Sequence, residues 1–162
     1  MQRQRGFGYL ILIFALAVMG LVLAGFGQSW KISSQREKET ELLAIGQQFS
    51  AAMTSYQRVT PAGQPNTPAS LDELLEDKRF PFTVRHLRRL YRDPMTGQPN
   101  WQVDVLDGRI VSISSRSERE ALRQPKALPR FVSIASKAEV IRYRDWLFVK
   151  QATPPTASNT EP

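Results

Sequence analysis

Arg5-Gly6-Phe7-Gly8-Tyr9-Leu10-Ile11-Leu12-Ile13-Phe14 opens the stretch whose reading decides the fold. From Phe7 to Gly27 there is no Asp, Glu, Lys or Arg. The run is about 21 residues, enough for an α-helix to cross a hydrocarbon core of about 30 Å. Residues 7–27 are therefore expected to form a transmembrane helix. A secretory signal is the competing reading, but its apolar core spans about 7–15 residues before a small-x-small cut site. This run is longer and no clean Ala-x-Ala follows it, so a retained anchor is expected. Trp30 and Lys31 stand where aromatic and basic residues hold a span at the interface. Arg3 and Arg5 precede the run while Lys31, Arg36 and Lys38 follow it, so charge alone does not orient it. Gly20, Gly25 and Gly27 read equally as close-packing positions and as ordinary glycine usage in a membrane helix.

Beyond the run, Leu42, Ile45, Phe49, Ala52 and Tyr56 recur at steps of three and four, with Met53 beside them. That is one apolar stripe, so residues 28–58 are expected to continue the helix as an amphipathic half packed on a small domain. Gln35, Arg36, Lys38, Glu39, Gln47, Ser50 and Gln57 are assigned to the other faces. A free coiled coil is the alternative, but the stripe lasts only about two heptads. The whole helix would be roughly 75 Å long at 1.5 Å per residue.

Residues 59–150 read as a small α+β domain. Three prolines and a glycine between Thr60 and Pro68 make a loop. Ser70 with Glu73 three residues later is a capping box for a short helix to about Asp77, with Leu71, Leu74 and Leu75 inward. Phe80-Pro81-Phe82 breaks it. Val84 to Tyr91 is expected to form a helical turn or two, with Leu87, Leu90 and Tyr91 inward. Asp93-Pro94-Met95-Thr96-Gly97 is a turn signature. Trp101, Val103 and Val105 alternate with polar residues as a strand, Asp107-Gly108 is a two-residue hairpin signal, and Arg109 to Ser114 returns. A brief helix is expected over Ser117 to Arg123 and a third strand over Val140 to Val149. Residues 151–162 are too polar and proline-rich to fold and are expected to be a disordered tail.

The leader, the Gly6-Phe7 junction and the uninterrupted apolar run together resemble the amino end of the type IV pilin and type II secretion pseudopilin superfamily. The segments Pro68 to Asp77 and Arg85 to Gly97, with Trp101 and the hairpin, resemble the body of relatives of the major pseudopilin. The similarity covers roughly Arg5 to Val149. It implies a pilin-like α+β fold, a long helix packed on a small antiparallel sheet. It also implies that residues 1–6 are a leader, that a prepilin peptidase cuts between Gly6 and Phe7, and that the new amino-terminal Phe7 is methylated. The implied place is the bacterial inner membrane, single-pass, with the bulk of the chain periplasmic. The implied partners are other pilin-like subunits, the peptidase, the assembly platform and the lipid bilayer. One position departs from the pattern. The family usually carries Glu at the fifth position after the cut, and here it is Ile11. Some minor, tip-located members also lack that carboxylate, so a minor structural component of a secretion or pilus assembly is the expected function.

The composition narrows the chemistry. With no Cys, disulfides, thiolate metal sites and a lipoprotein cysteine are excluded. His86 is the only histidine, so no Cys–His nucleophile or His-rich metal site can be built. Standing among arginines, it reads as a surface residue. Asp72, Glu73, Glu76 and Asp77 read as an exposed acidic first turn rather than a cation site. The late-loop calcium site of major pseudopilins is not carried over, because only Glu118 and Glu120 are acidic between Ser112 and Lys137. No cofactor and no enzymatic activity are expected. The net charge is +7. It would suit contact with acidic lipid or nucleic acid, with a solvated basic surface as the plainer reading. Much of the excess lies in Lys78, Arg79, Arg85, Arg88, Arg89 and Arg92, and Arg85, Arg88, Arg89 and Arg92 are spaced to share one helical face. That face is a possible partner-binding surface; its plainer readings are a solvated face or arginines paired with Asp72, Glu76 and Asp93. Nucleic acid is not expected as the main partner, though an arginine face touching DNA is one rival reading. An anchored periplasmic adaptor or hydrolase is the rival outside the family.

Overall fold

The structure, a computed structural model, describes residues 5–151, without the side chains of residues 5, 6 and 23–29. The expected leader and tail therefore lie outside the described residues except at their inner ends. The chain divides into two units, Met1–Glu37 and Lys38–Pro162. Helix α1, Arg5–Arg58, contributes to both.

In the first unit α1 shows apolar side chains on every side. Leu10, Ile11, Leu12, Ile13 and Phe14 are consecutive and all exposed. At about 100° per residue they leave no polar face. The transmembrane helix expected over residues 7–27 is not confirmed. Among the described residues no helix is long and apolar enough to cross a membrane; the side chains of residues 23–27, the last part of the run, are not among them.

The second unit is α+β, with a four-stranded antiparallel sheet in the order β1-β2-β4-β3. Strand β1, Gln102–Leu106, turns through Asp107-Gly108 into β2, Arg109–Ser114, with Leu106 opposite Arg109. Both turn residues have positive φ, 52° and 71°, the conformation that a two-residue hairpin needs and that Asp and Gly adopt most cheaply. A register shift at Asp104/Val105 interrupts the alternation, which leaves Val105 exposed while Val103 packs on the core. Strand β4, Trp146–Val149, pairs with β2 on one side and with β3, Val132–Ile134, on the other.

Residues of the α1 stripe, Leu42, Ile45, Phe49, Ala52, Met53 and Tyr56, are all buried in one core with Trp101, Ile113, Tyr143, Trp146 and Phe148. Phe49 meets Trp101 edge to face at 4.9 Å between centroids. Each fully buried large side chain stabilises by about 1.5–3 kcal/mol.

Four expectations are corrected. The cap at Ser70 is not made: α2 is the single turn Asp72–Leu75, and its amino end carries no side-chain cap. The carboxylate of Glu73 instead accepts from Ala69 N–H and the Tyr56 hydroxyl. Val84 to Tyr91 is not helical. Its backbone N–H groups are used elsewhere: those of His86 and Leu87 donate to the Leu74 carbonyl, while Val84 accepts from Asp77 N–H. No helix forms over Ser117 to Arg123 either, because Ala121 N–H donates to Ile141 and the carbonyls of Arg119 and Ser117 accept from Tyr143 and Arg144. The third strand is shorter than expected, since a 3-10 turn occupies Tyr143–Asp145, and β3 adds a fourth strand.

Candidate functional site

Gly6 and Phe7, the expected processing pair, lie in the first turn of α1. The first N–H groups of a helix have no partner within it, so a peptide bond here unwinds at little cost. Phe7 is exposed, and Ile11, one turn further on, is 53% exposed. Among the described residues of the first unit, the side chains from Phe7 to Val22 are exposed.

The arginines do not form a helical face. Arg85, Arg88, Arg89 and Arg92 are exposed on an irregular segment. None of them forms an ion pair among the described residues, so the pairing expected with Asp72, Glu76 and Asp93 is not made. The guanidinium of Arg89 lies 5.1 Å from the Tyr91 ring. Asp93 is fully buried, its carboxylate accepting from Met95 N–H, the Thr96 hydroxyl and the Ser115 hydroxyl. It closes the turn over Pro94 to Gly97, where Gly97 takes φ +75°.

His86 is not a surface residue. Its side chain and that of Asp77 are each 1% exposed. Nε2 lies 3.2 Å from Asp77 Oδ2 and Nδ1 lies 2.9 Å from Ser55 Oγ. A carboxylate only accepts, so Nε2 donates to Asp77, while the direction of the Nδ1–Ser55 bond depends on the tautomer. The order Ser55, His86, Asp77 has the outline of a nucleophile–base–carboxylate relay. Its surroundings make it a lock. Both Asp77 oxygens are bonded by Arg79, at 2.6 Å from Nη2 to Oδ2. The Arg79 guanidinium stacks 3.6 Å over the Tyr56 ring and donates to Thr60. The imidazole is enclosed by Asp77, Ser55 and the Tyr56 ring, which it meets at 5.4 Å between centroids. These contacts tie the end of α1 to the loop that follows α2. The Arg79 hydrogen bonds hold the Asp77 carboxyl down at about 2 and raise Arg79 itself. Burial, then the bond to Glu73, pushes the Tyr56 phenol up to about 12.

Two polar residues assigned to the outer faces of α1 are buried instead. Glu39 Oε1 accepts from Arg123 N–H at 3.1 Å and its Oε2 accepts from the Tyr143 hydroxyl at 3.1 Å. The Ser50 hydroxyl donates to the Val149 carbonyl at 2.6 Å. Glu39 lies three residues before Leu42, a helical spacing that is a legible sign of stripe membership. The acidic residues near α2 do not converge. Glu73 and Asp77 are spent on Tyr56, Arg79 and His86, and among the described residues no group of three or more His, Cys, Asp or Glu is placed to hold a metal ion. Comparison with family models, with curated proteins and with solved structures finds no match for this chain.

Proposed function

We propose that this chain is a membrane-anchored, pseudopilin-like structural subunit of a secretion or pilus-like assembly, a minor component without catalytic activity. The observation that carries the reading is the change of character along one continuous helix. From Phe7 to Val22 the described side chains of α1 include apolar ones pointing in every direction and left exposed, whereas from Glu39 to Tyr56 its buried face is filled by the chain's own sheet and loops. The second half is satisfied internally. The first half needs a bilayer or neighbouring apolar helices around it, which is what a subunit drawn from a membrane into a filament core would use in turn. The Gly6-Phe7 junction beside the basic residues Arg3 and Arg5 supports the same reading, as does the enclosure of His86, the only histidine of the chain. Ile11 supports a minor role, since it offers no carboxylate to a neighbour's amino end.

The test is the intact mass of the protein extracted from membranes of a host that carries a prepilin peptidase. Loss of residues 1–6 with a methylated Phe7 is expected, and the full-length mass should return when the peptidase is deleted. Retention of Met1 with the peptidase present, or a cut near Ala24, would reject the proposal.

A further inference from the structure

We propose that the loop after α2 and the arginine segment behind it form a docking surface for anionic phospholipid membranes. The proposal does not depend on whether α1 crosses a bilayer.

The isolated pairing of Asp77 with Val84 closes a loop over Lys78 to Thr83, with Phe80-Pro81-Phe82 at its tip. Phe82 is 65% exposed, and it stands beside the half-buried Phe80 in a segment rich in cations rather than as an isolated apolar residue. Lys78 follows one residue of the pairing and Arg85 the other, and Arg88, Arg89 and Arg92 come directly after. All five cations are exposed and none has an ion pair among the described residues. From Lys78 to Arg92 there is no Asp or Glu. Arg79 is the exception among the cations, because it is spent on Asp77. A protruding aromatic tip flanked by uncompensated cations is the chemistry of an interfacial anchor. The ring enters the headgroup and acyl boundary while the guanidinium groups meet lipid phosphates.

Nucleic acid offers the same phosphates, but the aromatic geometry does not suit it. Single-strand binding uses open ring faces on which bases stack. Here Phe80 and Phe82 are stacked on each other at 5.7 Å between centroids with 29° between their planes. The Arg79 guanidinium lies 5.8 Å from the Phe80 ring. Stacking engages one face of each ring and Arg79 lies over Phe80, so no row of open ring faces is built for successive bases, while the exposed bulk of Phe82 suits a bilayer interface.

The chain has no cysteine, so Thr83→Cys gives a single attachment point for an environment-sensitive fluorophore beside Phe82. The full-length labelled protein, held in phosphatidylcholine nanodiscs, is titrated with vesicles of phosphatidylcholine alone or mixed with phosphatidylglycerol. Blue-shifted emission is expected with the anionic vesicles only, and added salt should reverse it. Each basic side chain near such a surface is worth about fivefold in partitioning, so Arg88→Gln combined with Arg89→Gln should weaken vesicle binding by about 25-fold. Phe82→Ser should abolish the blue shift. An equal response to neutral vesicles, no response to either kind, or tighter binding of a single-stranded oligonucleotide than of the anionic vesicles would each overturn the proposal.

Discussion

Gly46→Ala is a substitution for which two physical effects compete and the structure decides the sign. In the middle of an exposed helix, replacing Gly with Ala stabilises by about 1 kcal/mol. At position 46 a methyl group would sit 2.7 Å from Phe148 Cζ and closer still to Cδ1 and Cε1. Carbon atoms rest at about 3.5–4.0 Å, so the ring must retreat by roughly 1 Å. It has nowhere to go. Phe148 is 0% exposed, its backbone is opposite Ile113 in β2 and Val132 in β3, and its ring meets Trp101, which in turn meets Phe49. Overpacking of this kind costs about 1–3 kcal/mol and more when several groups must shift. The net expectation is a loss of about 1–2 kcal/mol, or about 4–8 °C in Tm. The assay is urea and thermal unfolding of the full chain in mild detergent, followed by tryptophan fluorescence. In a Phe148→Leu background the obstruction shrinks, and the same Gly46→Ala change should become neutral or stabilising, a coupling that a double-mutant cycle isolates. A gain of about 1 kcal/mol in the otherwise native chain would refute the close approach of α1 and β4.

The cluster around Asp77 should fail at both ends of the pH scale. Its folded carboxyl lies at about 2 against an ordinary 3.8, so it contributes about 2 kcal/mol above pH 4 that is lost as pH falls toward 2; Tyr56, raised to about 12, contributes stability that is present below pH 10 and lost as pH rises through 12. Stability measured against pH should show both flanks, and Asp77→Asn should remove the acid one. Ile11 predicts that the chain alone, expressed with the assembly machinery but without other pilin-like subunits, forms no filaments by electron microscopy; abundant filaments would contradict a minor role, and Ile11→Glu, despite a carboxylate cost of about 2.5–3.5 kcal/mol in hydrocarbon, should promote assembly if the missing charge is the cause.

What could be read from the sequence was local. The stripe from Leu42 to Tyr56 and the turn at Asp107-Gly108 depend on spacing and on backbone φ, and both are properties of a few adjacent residues. What could not be read depends on partners far along the chain. Glu39 is polar and so reads as exposed, until Arg123 and Tyr143, 84 and 104 positions away, supply its hydrogen bonds. Gly46 reads as a weak point in a helix, until Phe148 takes the place of its missing side chain. His86 reads as a surface residue because it stands among arginines, yet Ser55 and Asp77 satisfy both its nitrogens inside the fold. The arginine spacing was misleading for a related reason. The bonds from His86 and Leu87 to the Leu74 carbonyl commit the backbone donors that a helix would have used.

Several of the long-range ties have α1 as one partner. Glu39 holds Arg123 and Tyr143, Ser50 holds the end of β4, Thr54 accepts from Gln151 N–H, and Ser55 and Tyr56 hold the segment from Glu73 to His86. Successive parts of the second unit are thus fastened to successive turns of one helix, in addition to sharing its apolar stripe. Removing any of these turns would leave buried groups such as Tyr143 Oη or the Asp77–Arg79 pair without partners or packing, and unpaired buried polar groups cost more than the bonds they lose. Among the described residues α1 supplies Leu42, Leu43, Ile45, Phe49, Ala52, Met53 and Tyr56 to the buried core of the second unit, so withdrawing the helix would open that core. The close fit of Gly46 under Phe148 lies in the middle of these contacts from Glu39 to Tyr56.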